Sequence, residues 1–269
     1  MNIKLTPDQD TKVEKRKVGR VPVLILRPAN RAPAAVGVLW IHGGGLLTGF
    51  KEQVFGSRAM DFLRRYGVTV VSPGYRLSWQ QPYPAAFHDC FDVLKYMNAH
   101  QEELGLRTIM VGGESAGGGL TAAVCMKARD QGIPVAFQMP LYPMLSNLDT
   151  ESSRNNHGRV WNTRRNHFAW RMYLRENAKN VVSPYAAPAM QTDYRGLPPC
   201  YTFVGDGEPF YAETLEYVKN LRAAGVKADV DVYHTNIHAF DSHRPDSRVT
   251  KKAIEALNKR FEYALEHYC

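Results

Sequence analysis

Short apolar runs that alternate with helical stretches restrict the fold of this chain more than any other feature of its sequence. Each run is rich in valine and leads into a loop, then into a stretch with apolar residues at helical spacing. Strands that are apolar throughout are typical of a mostly parallel, twisted sheet with helices on both faces, so we predict an α/β fold. After two strands within residues 11–28, strands are predicted at 36–41, 68–72, 108–112, 135–139, 201–204 and 228–233, and helices at 57–66, 85–104, 116–129, 211–224 and 246–267.

The segment from about residue 146 to residue 196 interrupts this alternation. It is polar and rich in arginine and asparagine, with aromatic residues at Trp161, Trp170 and Tyr173. A connection this long within a compact domain is usually a lid or a binding element. We therefore predict a single domain over residues 1–269 that carries a small, partly helical cap at about residues 146–196.

The chain has a net charge of +8, from 34 lysines and arginines against 26 aspartates and glutamates. Some of the basic residues fall within residues 12–20, where charges on an edge hairpin discourage association between sheets. Others fall within residues 154–175. No helix-turn-helix, zinc or RNA-binding motif accompanies them, so we do not expect nucleic acid as a partner.

The compartment is predicted from weaker signals. The N-terminal residues contain no apolar core of signal-peptide length, and the longest apolar runs are far shorter than a membrane span. The four cysteines, at positions 90, 125, 200 and 269, show neither paired spacing nor metal-ligand spacing. We therefore expect a cytoplasmic protein with no membrane attachment, no metal and no cofactor.

The first chemically informative motif is Gly113-Glu114-Ser115-Ala116-Gly117. It follows an apolar run and opens a helix of small residues, which is the strand, turn and helix context of a nucleophilic serine. A serine on such a sharp turn has a strained backbone, so the flanking positions two residues before and after it, Gly113 and Gly117, need to be glycine. The alternative is a glycine-rich turn in which the serine has no chemical role.

A second motif, His42-Gly43-Gly44-Gly45, directly follows the strand predicted at 36–41. Consecutive glycines allow backbone N–H groups to point into a cavity. Together with the N–H of Ala116, they would stabilise an oxyanion formed during acyl transfer. The alternative is a flexible loop, but an oxyanion loop belongs after an early strand of the same sheet.

The candidate base is His238, which lies late in the chain, after the strand predicted at 228–233. That is where the chain order of serine, acid and histidine requires the base. His234 and His243 are nearby alternatives that we rank below it.

The acid is open between Asp206 and Glu208. Both follow the strand predicted at 201–204 and lie between the serine and the histidine in the chain. Either carboxylate could hold the tautomer of the histidine and stabilise the imidazolium.

Further short motifs occur in order through about residues 36–240. The series comprises His42-Gly43-Gly44-Gly45, Tyr75-Arg76-Leu77, Tyr83-Pro84-Ala85-Ala86 with Asp89, Gly113-Glu114-Ser115-Ala116-Gly117, Ser183-Pro184-Tyr185-Ala186-Ala187-Pro188, Gly196-Leu197-Pro198-Pro199 and His238-Ala239-Phe240. It resembles the bacterial hormone-sensitive-lipase-like branch of the α/β-hydrolases, which includes short-chain carboxylesterases and acetyl esterases. The series is far more specific than either glycine motif alone.

The resemblance implies an α/β-hydrolase fold with Ser115 as nucleophile and His238 as base. By position, the acid of the family falls on Glu208, although aspartate is usual there, and this favours Glu208 over Asp206. The implied oxyanion donors are Gly44, Gly45 and Ala116, and the glycine motifs are completed by His42, Gly43, Gly113 and Gly117.

The sequence departs from the family at two places. Only 41 residues precede the glycine-rich loop, so the N-terminal part of the family's cap is expected to be reduced or missing. Residues 74–80 read Gly-Tyr-Arg-Leu-Ser-Trp-Gln where relatives often have Asp-Tyr-Arg-Leu-Ala-Pro-Glu, so the mouth of the pocket is expected to differ. From the shortened cap we predict a preference for acetate to butyrate esters over decanoate.

The arginines within residues 154–175 allow two interpretations. They could line the cap and steer anionic or polar esters, or they could form a solvated helical face, which we favour. Trp161 and Trp170 likewise either line a pocket or pack the cap onto the core, and the second is the commoner role of such residues.

Three functional hypotheses follow. The first is a serine carboxylic ester hydrolase that acts on small short-chain acyl esters, of the acetyl type, through an acyl-enzyme. The second is an amide or formamide hydrolase with the same triad, because fold and triad do not choose the leaving group. The third is a ligand-binding protein without turnover, and the intact serine, acid and histidine argue against it. The expected partner is a small-molecule ester, and the sequence leaves open whether the chain forms a homo-oligomer.

Overall fold

Eight strands form one sheet at the centre of the molecule, which the computed structural model describes over residues 6–269. Their order across the sheet is β1-β2-β4-β3-β5-β6-β7-β8. β1 pairs antiparallel with β2 and β2 with β4, whereas the other neighbours are parallel, and this confirms the predicted fold class. In chain order the strands are β1 (Thr11–Val18), β2 (Val21–Pro28), β3 (Val36–Ile41), β4 (Thr69–Pro73), β5 (Thr108–Glu114), β6 (Phe137–Leu141), β7 (Cys200–Gly205) and β8 (Ala228–Tyr233).

Helices cover both faces of the sheet. They are α1 (Arg58–Tyr66), α2 (Ala85–Ala99), α3 (Gln101–Leu104), α4 (Ala116–Asp130), α5 (Thr163–Leu174), α6 (Tyr211–Ala223), α7 (Phe240–His243) and α8 (Arg248–Tyr268). Short 3₁₀ turns lie at Lys51–Gly56, Arg175–Lys179 and Pro188–Met190.

The strands bury both of their faces because alternate residues point to opposite sides of the sheet. On β3, Leu39 and Ile41 pack in the core beneath α2 and α4, whereas Val38 and Trp40 pack in the core beneath α1 and α8. All four side chains are fully buried. Burial of such a side chain contributes roughly 1.5–3 kcal/mol relative to exposure, which explains why a doubly covered strand is apolar throughout.

One predicted helix is wrong in its extent. The helix expected over residues 85–104 is two helices, because α2 ends at Ala99 and α3 follows as a separate turn. The break lies at His100, whose backbone leaves the helical region with a φ of −118° and a ψ of 31°. Its ring Nδ1–H donates to the carbonyl of Tyr96 at 3.0 Å, beside the backbone N–H of the same residue.

Two other elements are close to expectation. The strand predicted at 135–139 lies two residues later, as β6, and includes Pro140, which pairs with Gly113 of β5. Ser247, one of the two residues proposed to cap the last helix, accepts a hydrogen bond from the N–H of Thr250 at 3.1 Å, and α8 begins at the next residue.

Residues 146–196 connect β6 to β7 and contain α5 with two of the 3₁₀ turns. One side of α5 is buried, and Trp170 and Tyr173 on that side belong to the core beneath α2 and α4. The arginines of the same segment are exposed, at positions 154, 159, 164, 165, 171 and 175. The exposure of Arg164, Arg165 and Arg171 on α5 agrees with a solvated helical face, whereas the other three lie outside that helix.

The N-terminal segment that lacks a signal-peptide core includes residues 1–5, which lie outside the described residues. Over residues 6–269, no helix is both long enough and apolar enough to cross a bilayer. In the same range, no three His, Cys, Asp or Glu side chains are grouped as metal ligands. The cysteines are free thiols, buried at positions 90, 125 and 200 and exposed at position 269.

Candidate active site

Ser115 lies on a sharp turn between the end of β5 and the start of α4. Its φ of 57° and ψ of −117° are strained for a residue with a side chain, as expected for a nucleophile exposed on an elbow. Backbone hydrogen bonds hold this conformation: the N–H of Ser115 donates to Leu141 at 3.0 Å, and its carbonyl accepts from Gly119 and Met144, each at 3.0 Å.

Close packing explains the glycine at position 117. A Cβ there would lie 2.1 Å from the carbonyl oxygen of Ile41 and 2.4 Å from that of His42, at the end of β3. Only glycine allows the first turn of α4 to approach the neighbouring strand this closely. The elbow and the glycine-rich loop are thereby brought side by side.

His238 connects the serine to an acid. Its Nε2 lies 2.8 Å from the Oγ of Ser115, and its Nδ1 is hydrogen-bonded to the Oε2 of Glu208. A carboxylate can only accept, so Nδ1 carries the hydrogen and Nε2 accepts from the serine hydroxyl. All three residues are buried, with Glu208 fully enclosed. The second oxygen of Glu208 accepts from the N–H of Gly205 at 2.8 Å, which fixes the carboxylate in place.

Asp206, the alternative acid, faces away from this histidine. Its Oδ2 lies 2.8 Å from the Nδ1 of His234, and its Oδ1 accepts from the N–H of Thr235 at 3.1 Å. The side chain of His234 is 99% exposed. The structure therefore brings Glu208, and not Asp206, to His238.

Aromatic rings surround the imidazole of His238. The rings of Phe210 and Tyr142 meet it edge to face, with centroids at 5.0 Å and 5.3 Å, and that of Trp161 lies at 6.5 Å. Such packing limits the rotation of the imidazole and its contact with water. His243, the other nearby histidine, lines the same cavity, but no hydrogen bond joins it to Ser115 within residues 6–269.

The glycine-rich loop presents free backbone donors beside Ser115. Within residues 6–269, the N–H groups of Gly44, Gly45 and Ala116 donate to no protein acceptor. Gly45 has a φ of 61°, and a Cβ there would lie 2.2 Å from the ring of Trp161. The loop thus requires glycine both for its backbone conformation and for the approach of this ring.

His42 supports the loop from beneath. Burial lowers the pKa of His42 to about 4, so its ring is neutral near pH 7. Its Nδ1 lies 2.8 Å from the carbonyl oxygen of Gly43, and the ring stacks on Tyr75 with centroids 4.2 Å apart. The hydroxyl of Tyr75 in turn donates to the carbonyl of His42 at 2.9 Å. His42 therefore holds the loop and does not face the reacting atoms.

Known proteins resemble this chain in sequence and in fold. Residues 38–242 match the model of a family with the α/β hydrolase fold. The chain is 31% identical to the esterase LipI of Mycobacterium tuberculosis over 238 residues, which are 86% of this chain and 72% of that protein. The chain belongs to the hormone-sensitive-lipase-like α/β-hydrolases.

Solved structures of such hydrolases agree closely with this one. A bacterial heroin esterase matches with a TM-score of 0.88 at 32% identity, over 94% of this chain and 84% of that one. The esterase LipW from Mycobacterium marinum matches with a TM-score of 0.85 at 31% identity, over 95% and 81%. The predicted resemblance and enzyme class are therefore confirmed, and this α/β-hydrolase is an esterase.

A cavity of about 540 Å³ opens over Ser115 and His238 in this esterase. Its walls include Glu114, Tyr142 and Trp161. The sequence analysis gave no role to Glu114 or Tyr142. Glu114 lies within the serine motif, so its charge next to the candidate nucleophile was the signal that could have pointed to it. Of the two tryptophans, Trp161 lines the cavity, whereas Trp170 packs into the core.

A buried charged cluster lies behind this wall. The hydroxyl of Tyr142 donates to Asp241 at 2.9 Å, and the Nε of Arg58 lies 3.4 Å from the other oxygen of Asp241. The backbone N–H of Arg58 donates to Glu114 at 3.4 Å. Burial, together with the charge of Asp241, raises the pKa of Glu114 to about 7.

Proposed function

We propose that this esterase hydrolyses short-chain carboxylic esters through an acyl-enzyme on Ser115. The observation that carries the proposal is a buried, hydrogen-bonded triad. Nε2 of His238 lies 2.8 Å from the Oγ of Ser115, and its Nδ1–H donates to Glu208. A hydroxyl is a weak nucleophile until a base accepts its proton, and this triad provides the base and the carboxylate that orients it.

In the first half of the reaction, Oγ of Ser115 bonds to the ester carbonyl carbon as its proton passes to Nε2 of His238. Negative charge develops on the carbonyl oxygen, where the free N–H groups of Gly44, Gly45 and Ala116 would donate to it. Glu208 stabilises the imidazolium. The bond to the alcohol oxygen then breaks, and the imidazolium gives its proton to the departing alcohol.

In the second half, water takes the place of the alcohol. His238 accepts a proton from the water as its oxygen bonds to the acyl carbon. The bond to Oγ of Ser115 breaks, and the imidazolium returns the proton to the serine. The products are a carboxylic acid and the free enzyme.

The space around Ala116 supports a short acyl group. An apolar hollow beside it, lined in part by Leu120, Met144 and Trp170, has a volume of only about 10 Å³. A cavity of that size holds no more than about one water molecule. A long acyl chain would therefore have to share the main cavity with the alcohol, whereas an acetyl group needs no further room.

A panel of p-nitrophenyl esters from acetate to decanoate, with an aryl formamide beside it, tests the proposed reaction. We expect the highest kcat/KM among acetate to butyrate, a fall toward decanoate, and slower turnover of the formamide. A kcat/KM that rises steadily to ten carbons would contradict the short-chain proposal. After inactivation by an organophosphate, peptide mass spectrometry is expected to place the label on Ser115, and a label on another residue would contradict the proposed nucleophile.

A further inference from the structure

The described residues that line the catalytic cavity include a glutamate and no lysine or arginine. Among the described residues that line it, Glu114 is the acidic one, and histidines are the only basic ones. This contrasts with the rest of a chain that has 34 lysines and arginines and a net charge of +8. The arginines of residues 154–175 are exposed, and none of them lines this cavity.

The charges behind the wall do not neutralise Glu114. The guanidinium of Arg58 pairs with Asp61 at 2.9 Å and with Asp241 at 3.4 Å, and no ion pair joins it to Glu114 within residues 6–269. Glu114 itself accepts a long hydrogen bond of 3.4 Å from the backbone N–H of Arg58. The guanidinium of Arg58 is thus shared by Asp61 and Asp241, and the charge of Glu114, the residue before Ser115, is left without an ion pair of its own among the described residues.

Aromatic rings complete the wall. Phe50, Tyr142 and Trp161 line the same cavity as Glu114. The faces of aromatic rings attract cations, and rings grouped around a cavity are the usual way in which proteins bind quaternary ammonium groups. A glutamate beside such rings adds a counter-charge for a bound cation.

We propose that this cavity selects esters whose alcohol portion carries a fixed positive charge, with Glu114 as the counter-charge. The inference rests on the proposed function, because a short acyl group leaves the alcohol portion as the part of the substrate that can reach the wall. Esters with a carboxylate on the alcohol are disfavoured by the same wall.

The preference depends on pH through Glu114. The groups that face this carboxyl are Arg58 from α1, Asp241 from α7, Tyr142 from the loop after β6 and the indole of Trp40 from β3. Because the pKa of Glu114 is raised to about 7, its carboxyl is neutral below that pH and negative above it. The preference for a cationic ester is therefore weak at pH 6 and strong at pH 8.

Two acetate esters of the same shape test this inference. Acetylcholine carries a quaternary nitrogen, and 3,3-dimethylbutyl acetate has a carbon in its place. Both have the same acyl group and both need neutral His238, so the ratio of their kcat/KM values isolates the effect of the charge. For the unmodified enzyme at pH 8, we expect a ratio of about ten in favour of acetylcholine, which falls toward one at pH 6.

Glu114→Gln removes the counter-charge and keeps the size of the side chain. We expect it to lower the ratio at pH 8 by about tenfold and to abolish its dependence on pH. Glu52→Gln is the matched control, because Glu52 is also acidic and lies on the adjacent 3₁₀ turn, but pairs with Lys51 at 2.7 Å and does not line the cavity. The control is expected to keep the ratio of the unmodified enzyme.

The possible results separate this inference from the proposed function. If the unmodified enzyme cleaves 3,3-dimethylbutyl acetate with a ratio near or below one at pH 8, the charge preference is overturned while the esterase proposal stands. If the ratio is high but Glu114→Gln leaves it unchanged, Glu114 is not the counter-charge, and the inference is overturned as well. If neither acetate is cleaved, the proposed short-chain activity itself fails. Even if Glu114→Gln does not fold, the ratio measured for the unmodified enzyme decides whether the cavity prefers the charged ester.

Discussion

Glu208 and Asp206 lie two residues apart on one loop, yet they face different histidines. Glu208 is fully buried and reaches His238, whereas Asp206 pairs with the exposed ring of His234. Local sequence left both carboxylates open, because both follow β7 and precede α6. The family position favoured Glu208, and the structure brings this residue to His238; the catalytic roles remain predictions.

We expect Glu208→Gln to lower turnover by a factor on the order of 10⁴, because an amide does not hold the imidazole in the tautomer that accepts the serine proton. Asp206→Asn is the matched control, since it removes the same charge from the same loop. It is expected to retain turnover and to affect mainly the thermal melting temperature. An inactive but stable Asp206→Asn beside an active Glu208→Gln would reverse the assignment.

Single residues also show what sequence alone could not provide. The serine motif is local, so its strand, turn and helix could be read from adjacent residues. The approach of Trp161 to Gly45 joins residues far apart in the chain, and so does the cluster of Arg58, Glu114 and Asp241. Such contacts depend on how the elements pack, and no local pattern predicts them.

Among the helices, α6 stabilises the start of the segment 146–196. Glu213 on α6 is buried, and its Oε1 accepts from the N–H of Leu145 at 2.6 Å and of Ser146 at 3.3 Å. Burial raises the pKa of Glu213 to about 8. Because the pKa of a glutamate in the unfolded chain is near 4.5, protonation of Glu213 favours the folded state.

The sign of this shift gives a prediction for stability. The contribution of Glu213 is fully present below about pH 4.5 and is lost as the pH rises through about 8. Glu213→Gln does not titrate, so the free energy of unfolding of the unmodified enzyme should fall relative to that of the variant between pH 5 and pH 8. Urea unfolding at several pH values measures this difference, which we expect to reach a few kcal/mol.

Glu216→Gln serves as the control for this measurement, because Glu216 lies on the same helix but is exposed and pairs with Lys219 at 3.0 Å. Its free energy of unfolding is expected to follow that of the unmodified enzyme at every pH. A constant difference between Glu213→Gln and the unmodified enzyme from pH 5 to pH 8 would show that Glu213 is ionised throughout, against the prediction.

Element bounds were predictable where the apolar pattern has clear ends. The strands followed from their valine-rich runs, whereas the break between α2 and α3 was missed because it is a change in the backbone conformation of the single residue His100, which leaves the apolar spacing on either side intact. The short helix α7 directly after His238 was also missed, since four residues are too few to show a helical period.

Across the whole molecule, the sequence indicated a mostly parallel sheet but not the order of its strands. β4 lies between β2 and β3, so the chain passes from β2 over the position of β4 to β3, returns to β4, and then passes over β3 to β5, which leads into Ser115. Strand order depends on which pairs of strands meet, which the apolar pattern of each strand does not encode. The result of this order is that the ends of β3, β5, β7 and β8 deliver the glycine-rich loop, the serine, the acid and the histidine to one edge.

The central claim is that these four chain segments form one serine-dependent site. Turnover of p-nitrophenyl acetate by Ser115→Ala tests it most directly, with circular dichroism to show that the variant is folded. Members of such a triad act as a unit, so we predict that turnover falls by a factor on the order of 10⁴–10⁶ while the fold is unchanged. A folded Ser115→Ala protein with near-normal turnover would contradict the account.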